Sequence, residues 1–152
     1  MELNLQWQRK LPLKKSKFEN LIYECDLPKI PVHSGIYVVG RTFGRSFEAL
    51  YVGQALNLRS RIKGQLNNLG LMKNVQNAAA GNRHVLVGVF LPKPAQNRAK
   101  CLSILESALI RHYMSEGHDL FNKQGKKIKS HAVNSIGAKT LVPKRILVDI
   151  KK

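Results

Sequence analysis

Eight consecutive residues, His84-Val85-Leu86-Val87-Gly88-Val89-Phe90-Leu91, form the most strand-like run in the chain, and Pro92 stops it. A run this apolar and this short reads as a buried central strand. Such a strand needs hydrogen-bonded partners on its edges and packed elements over its faces. The partners are visible upstream. Ile36 and Val38, then Ala49 to Val52, read as two strands joined by Thr42-Phe43-Gly44-Arg45-Ser46, a hairpin with a glycine-containing loop. The covering elements are helical. Asn57 is a good N-cap for a stripe of Leu58, Ile62 and Leu66, and a weaker helix is expected within 67–80. Cys101, Leu105, Ala108, Leu109 and His112 share one face of a helix from about Asn97 to Glu116, with Gly117 as its C-cap. The expected fold class is α+β: a small, mainly antiparallel sheet, built from the hairpin and the central strand and flanked by helices.

With 152 residues the chain has the length of one domain. Residues 1–33 read as an N-terminal extension, 34–123 as the core and 124–152 as a basic C-terminal segment of the same domain or a DNA-contacting tail. In the extension, Ser16-Lys17-Phe18-Glu19 has the form of a capping box, which predicts a short helix to about Tyr23. Residues 123–140 read as basic and turn-rich, and Arg145 to Ile150 as a last strand. Cys25 and Cys101 are too few and too far apart for a disulfide framework or a zinc spacing. There is no secretory signal and no 18-residue apolar run, so a cytoplasmic protein without a membrane partner is expected.

Charge narrows the partner. The chain has 26 Lys and Arg against 9 Asp and Glu, a formal net charge of +17, and a field of that size favours nucleic acid. Carboxylates are scarce where chemistry would need them. Between Leu27 and Val148 only Glu48, Glu106, Glu116 and Asp119 occur. A nuclease built on three or four clustered acids and two metals therefore has little to work with here; if the chain cleaves phosphodiesters, it does so with one metal and few protein ligands.

Within that frame, several short pieces fall in a telling order. Gly35-Ile36-Tyr37 precedes the hairpin loop and Tyr51-Val52-Gly53 follows it. Arg61 lies ten residues past Tyr51 in Asn57-Leu58-Arg59-Ser60-Arg61-Ile62, Glu106 lies on the long helix, and Asn122 comes sixteen residues later. Over residues 34–123 the chain resembles the GIY-YIG nuclease family. The resemblance implies that Tyr37 and Tyr51 share the water nucleophile, one of them as general base. It implies that Arg61 grips the scissile phosphate, that Glu106 is the single protein ligand to Mg²⁺ or Mn²⁺, and that Asn122 orders the site. It implies a DNA endonuclease leaving a 5′-phosphate and a 3′-hydroxyl.

The chemistry agrees with those roles. A guanidinium binds two phosphate oxygens at once, and a phenol acts as a base only where positive surroundings lower its pKa, here Arg61 and the basic field. Arg59 and Lys63 flank Arg61 and are candidates for neighbouring phosphates. Arg41 and Arg45 near the hairpin tip, and Lys123, Lys126, Lys127 and Lys129 after the core, complete the nucleic-acid-binding set. One position departs from the family pattern: Gln65 stands where a histidine or other basic group is common. His84 is the nearest candidate to replace it. A non-catalytic nucleic-acid-binding protein, or a nuclease acting on RNA, is the alternative reading.

Overall fold

The computed structural model describes residues 1–122, 131–137 and 145–148. In chain order the strands are β1 (Glu2–Trp7), β2 (Leu11–Pro12), β3 (Lys14–Lys15), β4 (Tyr23–Glu24), β5 (Gly35–Phe43) and β6 (Ser46–Ala55). Then come α1 (Leu58–Leu66), α2 (Leu69–Asn77), β7 (Asn82–Leu91), α3 (Arg98–Ser115), β8 (His131–Gly137) and β9 (Arg145–Val148). The main sheet runs β6-β5-β7-β1-β8-β9, with β2 also on β7. All pairings are antiparallel except β1 with β8. This is the α+β class expected, with β7 in the interior of the sheet. No helix among the described residues is long and apolar enough to cross a membrane.

Strand alternation sends apolar side chains to both faces, and each face has its own helical cover. Ile36, Val38, Val52, Leu86 and Phe90 pack with Leu102, Leu105, Leu109 and Tyr113 of α3. Tyr37, Val39, Val85 and Val87 pack instead with Leu58, Ile62 and Leu66 of α1 and Met72 and Val75 of α2. Among the described residues, α1, α2 and α3 each open on an asparagine cap, Asn57, Asn68 and Asn97, whose side chains accept from Ser60, Leu71 and Lys100 N–H. Gly117, at φ +87°, ends α3 as expected.

Three readings change. The capping box does not start a helix. Ser16 Oγ accepts from Phe18 N–H at 3.0 Å, and Ser16 N–H donates to Ile22 O, closing the turn between β3 and β4. The few residues before the Pro28 and Pro31 region cannot repay helix nucleation, and a local serine bond competes for the backbone. Residues 1–33 also contribute more than an appendage. β1 lies between β7 and β8, with Leu3, Leu5 and Trp7 buried. Within the segment expected to be turn-rich, 131–137 form β8, where pairing along β1 overrides weak local preference.

Candidate active site

Tyr37 lies directly opposite Gly53 on β6. A Cβ on Gly53 would stand 2.3 Å from both Cζ and Oη of Tyr37, so the glycine of Tyr-Val-Gly is a steric requirement: the phenol ring lies across that residue. Gly35 has a comparable reason, since a Cβ there would meet Gly88 O at 2.0 Å. The pairing passes from Val39–Tyr51 to Gly40–Ala49, a bulge that leaves Leu50 unopposed and sets Tyr51 at the irregularity. The rings of Tyr37 and Tyr51 stack with centroids 6.1 Å apart at 26°. Tyr37 is 1% exposed, whereas Tyr51 is half-buried.

Helix α1 brings the polar groups. Burial of Leu58, Ile62 and Leu66 turns Gln65 inward as well, and its Nε2 donates to Tyr37 Oη at 2.7 Å and more distantly to Tyr51 Oη at 3.5 Å. Gln65 Oε1 accepts from Asn68 Nδ2 at 3.4 Å. Arg61 is exposed, with its guanidinium in hydrogen-bonding reach of the Tyr37 hydroxyl and in the field of Tyr51 and Glu106. The Tyr37 hydroxyl raises the Arg61 pKa further above its ordinary value. Arg61 does pull the Tyr37 pKa down, as expected, but the net shift is the other way. Burial outweighs the bonds from Gln65 and Arg61 and pushes Tyr37 up to about 12.

The start of α1 offers no spare backbone donor to an anion. Leu58 N–H donates to His33 O, Arg59 N–H to Pro31 O, Ser60 N–H to Asn57 Oδ1 and Arg61 N–H to Asn57 O. A phosphate here would be held by side chains. The space for it is a cleft of about 550 Å³ lined by Gln54, Ala55, Leu56, Ser60, Arg61 and, across from them, Ala99 and Leu102 of α3. Gln54 Nε2 donates to Ser103 Oγ at 3.3 Å, fastening α3 to β6. Glu106, half-buried, lies one helical turn beyond Leu102. Tyr37, Tyr51 and Arg61 thus lie close together beside the β5–β6 pair, and Glu106 on α3 acts electrostatically on Arg61.

Comparison with protein-family models, curated proteins and solved structures finds no match to this chain.

Asn122 stands beside this group rather than within it. Its Oδ1 accepts from Val52 N–H at 3.2 Å and its Nδ2 donates to Val52 O. Phe121 N–H donates to Leu50 O at 2.7 Å, and His118 Nδ1 accepts from Ala49 N–H at 2.8 Å. The segment after α3 thereby occupies the outer edge of β6, the strand that carries Tyr51 and Gly53.

The basic residues divide. Arg41 is engaged by Glu48 Oε1 at 3.0 Å and Ala80 O at 2.7 Å. Arg59 is engaged by Ile30 O at 2.8 Å and Pro28 O at 3.1 Å. Both brace the scaffold with two of the five N–H donors of each guanidinium, and the donors that remain are the ones a phosphate contact would use. Arg45, beside Gly44 at φ +59°, and Lys63 on α1 are exposed. Lys123, Lys126, Lys127 and Lys129 lie outside the described residues. His84 cannot stand in for a base at Gln65. It is 3% exposed and on the opposite sheet face, stacked on Phe47 at 5.6 Å, with Nε2 2.6 Å from Thr42 Oγ1.

One contributor escapes a reading of the sequence alone. Gln65 reads there only as an absent base, although its position four residues after Arg61 puts it on the same helical face. Among the described residues no group of three or more His, Cys, Asp and Glu side chains clusters as a metal site. One carboxylate with no nearby thiolate or imidazole set suits a hard ion that keeps its waters and phosphate ligands, Mg²⁺ or Mn²⁺, better than zinc.

Proposed function

We propose that this chain is a GIY-YIG-type endonuclease that hydrolyses DNA phosphodiester bonds with one divalent metal. The observation that carries the reading is the gathering of Tyr37, Tyr51 and Arg61 around one point, with Glu106 in the same electrostatic neighbourhood. Arg61 grips the phosphate to be cleaved, its planar fork matching two phosphoryl oxygens. Glu106 would hold the metal, which supplies charge neutralisation at those oxygens. Tyr37, protonated at neutral pH, donates a hydrogen bond into the site. Half-buried Tyr51 receives a proton from the attacking water while its own phenolic proton passes to solvent. The P–O3′ bond breaks, the 3′ oxygen takes up a proton, and the products are a 5′-phosphate and a 3′-hydroxyl. Duplex DNA is the substrate that the net charge of +17 favours.

The deciding experiment pairs cleavage with binding. Supercoiled plasmid is incubated with the protein and Mg²⁺ or Mn²⁺, and binding to a labelled duplex is followed by fluorescence anisotropy. The wild type should nick or linearise the plasmid only with metal. Glu106→Gln should abolish cleavage while DNA affinity holds or rises slightly, since a negative charge is removed near the incoming phosphate. Binding without cleavage by the wild type would replace this reading with a non-catalytic binder, and cleavage of RNA alone would move the substrate. Equal cleavage by Glu106→Gln would remove Glu106 as the ligand.

A further inference from the structure

We propose that the N-cap of α2 sets the direction of the Tyr37 proton through two side-chain amides, so that Tyr37 must present its O–H as a donor beside Arg61 and Tyr51. The relay begins at a backbone group that can only donate. Leu71 N–H donates to Asn68 Oδ1 at 3.1 Å as the cap of α2. With its oxygen held there, Asn68 turns Nδ2 the other way, and that nitrogen donates to Gln65 Oε1 at 3.4 Å. Gln65, held by its oxygen in turn, directs Nε2 to Tyr37 Oη at 2.7 Å. Amide nitrogens donate and do not accept, and the same is true of a guanidinium. The Tyr37 oxygen therefore accepts from Gln65, and its single proton points away from that amide, on the side of Arg61 and Tyr51.

The relay also breaks the symmetry of the tyrosine pair. Tyr51 Oη receives only the long contact from Gln65, 3.5 Å against 2.7 Å. The ionisable groups facing Tyr37 are Tyr51 from β6 and Arg61 from α1, and neither can take over the orienting role of Gln65. Two like residues on adjacent strands thus acquire unlike roles from an asparagine whose local task is to start a helix. The catalytic consequence rests on the nuclease reading; the relay itself does not.

Asn68→Asp tests it. One carboxylate oxygen still caps Leu71, but the other faces Gln65 Oε1, and two acceptors share no proton at neutral pH. Gln65 turns over, its oxygen takes the O–H of Tyr37, and the donor is lost. The phenol is titrated by near-ultraviolet absorbance, each protein against its own Tyr37→Phe counterpart. The Tyr37 transition should move to higher pH in Asn68→Asp and in Gln65→Met, with circular dichroism unchanged. Plasmid cleavage by both should lose kcat by roughly 10²-fold, the scale of one preorganised donor, with KM little altered. If Asn68→Asp does not fold, Gln65→Met decides by the same titration. Identical Tyr37 transitions in all three proteins overturn the relay. A shifted transition with unchanged kcat overturns its catalytic consequence, and a wild type that cleaves nothing overturns the nuclease reading while the titration still judges the relay.

Discussion

Gly53 and Arg61 carry sharply different sensitivities. Adding one methyl at Gly53 places it inside the Tyr37 ring, so Gly53→Ala must displace the phenol or part the strands. A loss of about 1–3 kcal/mol in unfolding free energy is expected from such overpacking, together with loss of any metal-dependent cleavage. Chemical denaturation and the plasmid assay read the two effects separately. Arg61→Lys keeps the charge but not the fork. Cleavage should fall roughly 10²-fold or more while duplex affinity stays close to wild type, and near-normal cleavage would make Arg61 a surface charge. Tyr37 adds a dependence on pH. Its folded pKa, about 12, lies above its ordinary value near 10, so its contribution is full below pH 10 and is lost as pH rises toward 12. Replacing it by phenylalanine should flatten that alkaline decline in denaturation midpoints.

At the scale of elements, the outer edge of β6 is the feature on which the position of Tyr51 depends. Asn122→Ala leaves Val52 N–H and C=O without their partner, at a cost of about 1–3 kcal/mol, and should slow cleavage only through the displaced strand. The histidines on the α3 side add acid sensitivity. Burial lowers the pKa of His84 to about 4, and those of His112 and His118 in the same direction. A neutral folded histidine stabilises fully above pH 6.5 and loses that contribution as pH falls through about 4. Denaturation midpoints should therefore drop over that window, and His84→Gln should shallow the drop. Much at this scale is legible locally: Asn57 and Gly117 announce helix ends, the run to Leu91 announces a strand, and the order of Tyr37, Tyr51 and Arg61 points to side chains that do lie close together. What Arg41, Arg59 and Gln65 touch is not, because a side chain's partner across the fold leaves no periodic trace in its neighbours. The capping box at Ser16 misleads for the converse reason, a local signal without an apolar face to reward it.

For the whole molecule, the order of strands is the least legible property. Nothing near residue 5 announces that Leu5 will face Phe90 on one side and Ser135 on the other. Deleting 123–152 would strip β8 and β9 from the sheet and expose the edge of β1, so unfolding is the expected outcome of that deletion. Neutralising Lys123, Lys126, Lys127 and Lys129 instead should spare the fold and flatten the salt dependence of DNA binding, by about 0.9 in log–log slope for each phosphate no longer neutralised. The placement of β1 also bears on how the protein is made. At ordinary elongation rates a ribosome makes β7, one partner of this strand, roughly 4 to 17 seconds after it, and β8, the other, roughly 6 to 26 seconds after it. Until β7 is out, Leu3, Leu5 and Trp7 have no sheet to enter, on a nascent chain still gathering positive charge. Biogenesis thus leaves a window in which this strand depends on a chaperone's grip or on delay, and a second, shorter one in which its far edge stays open.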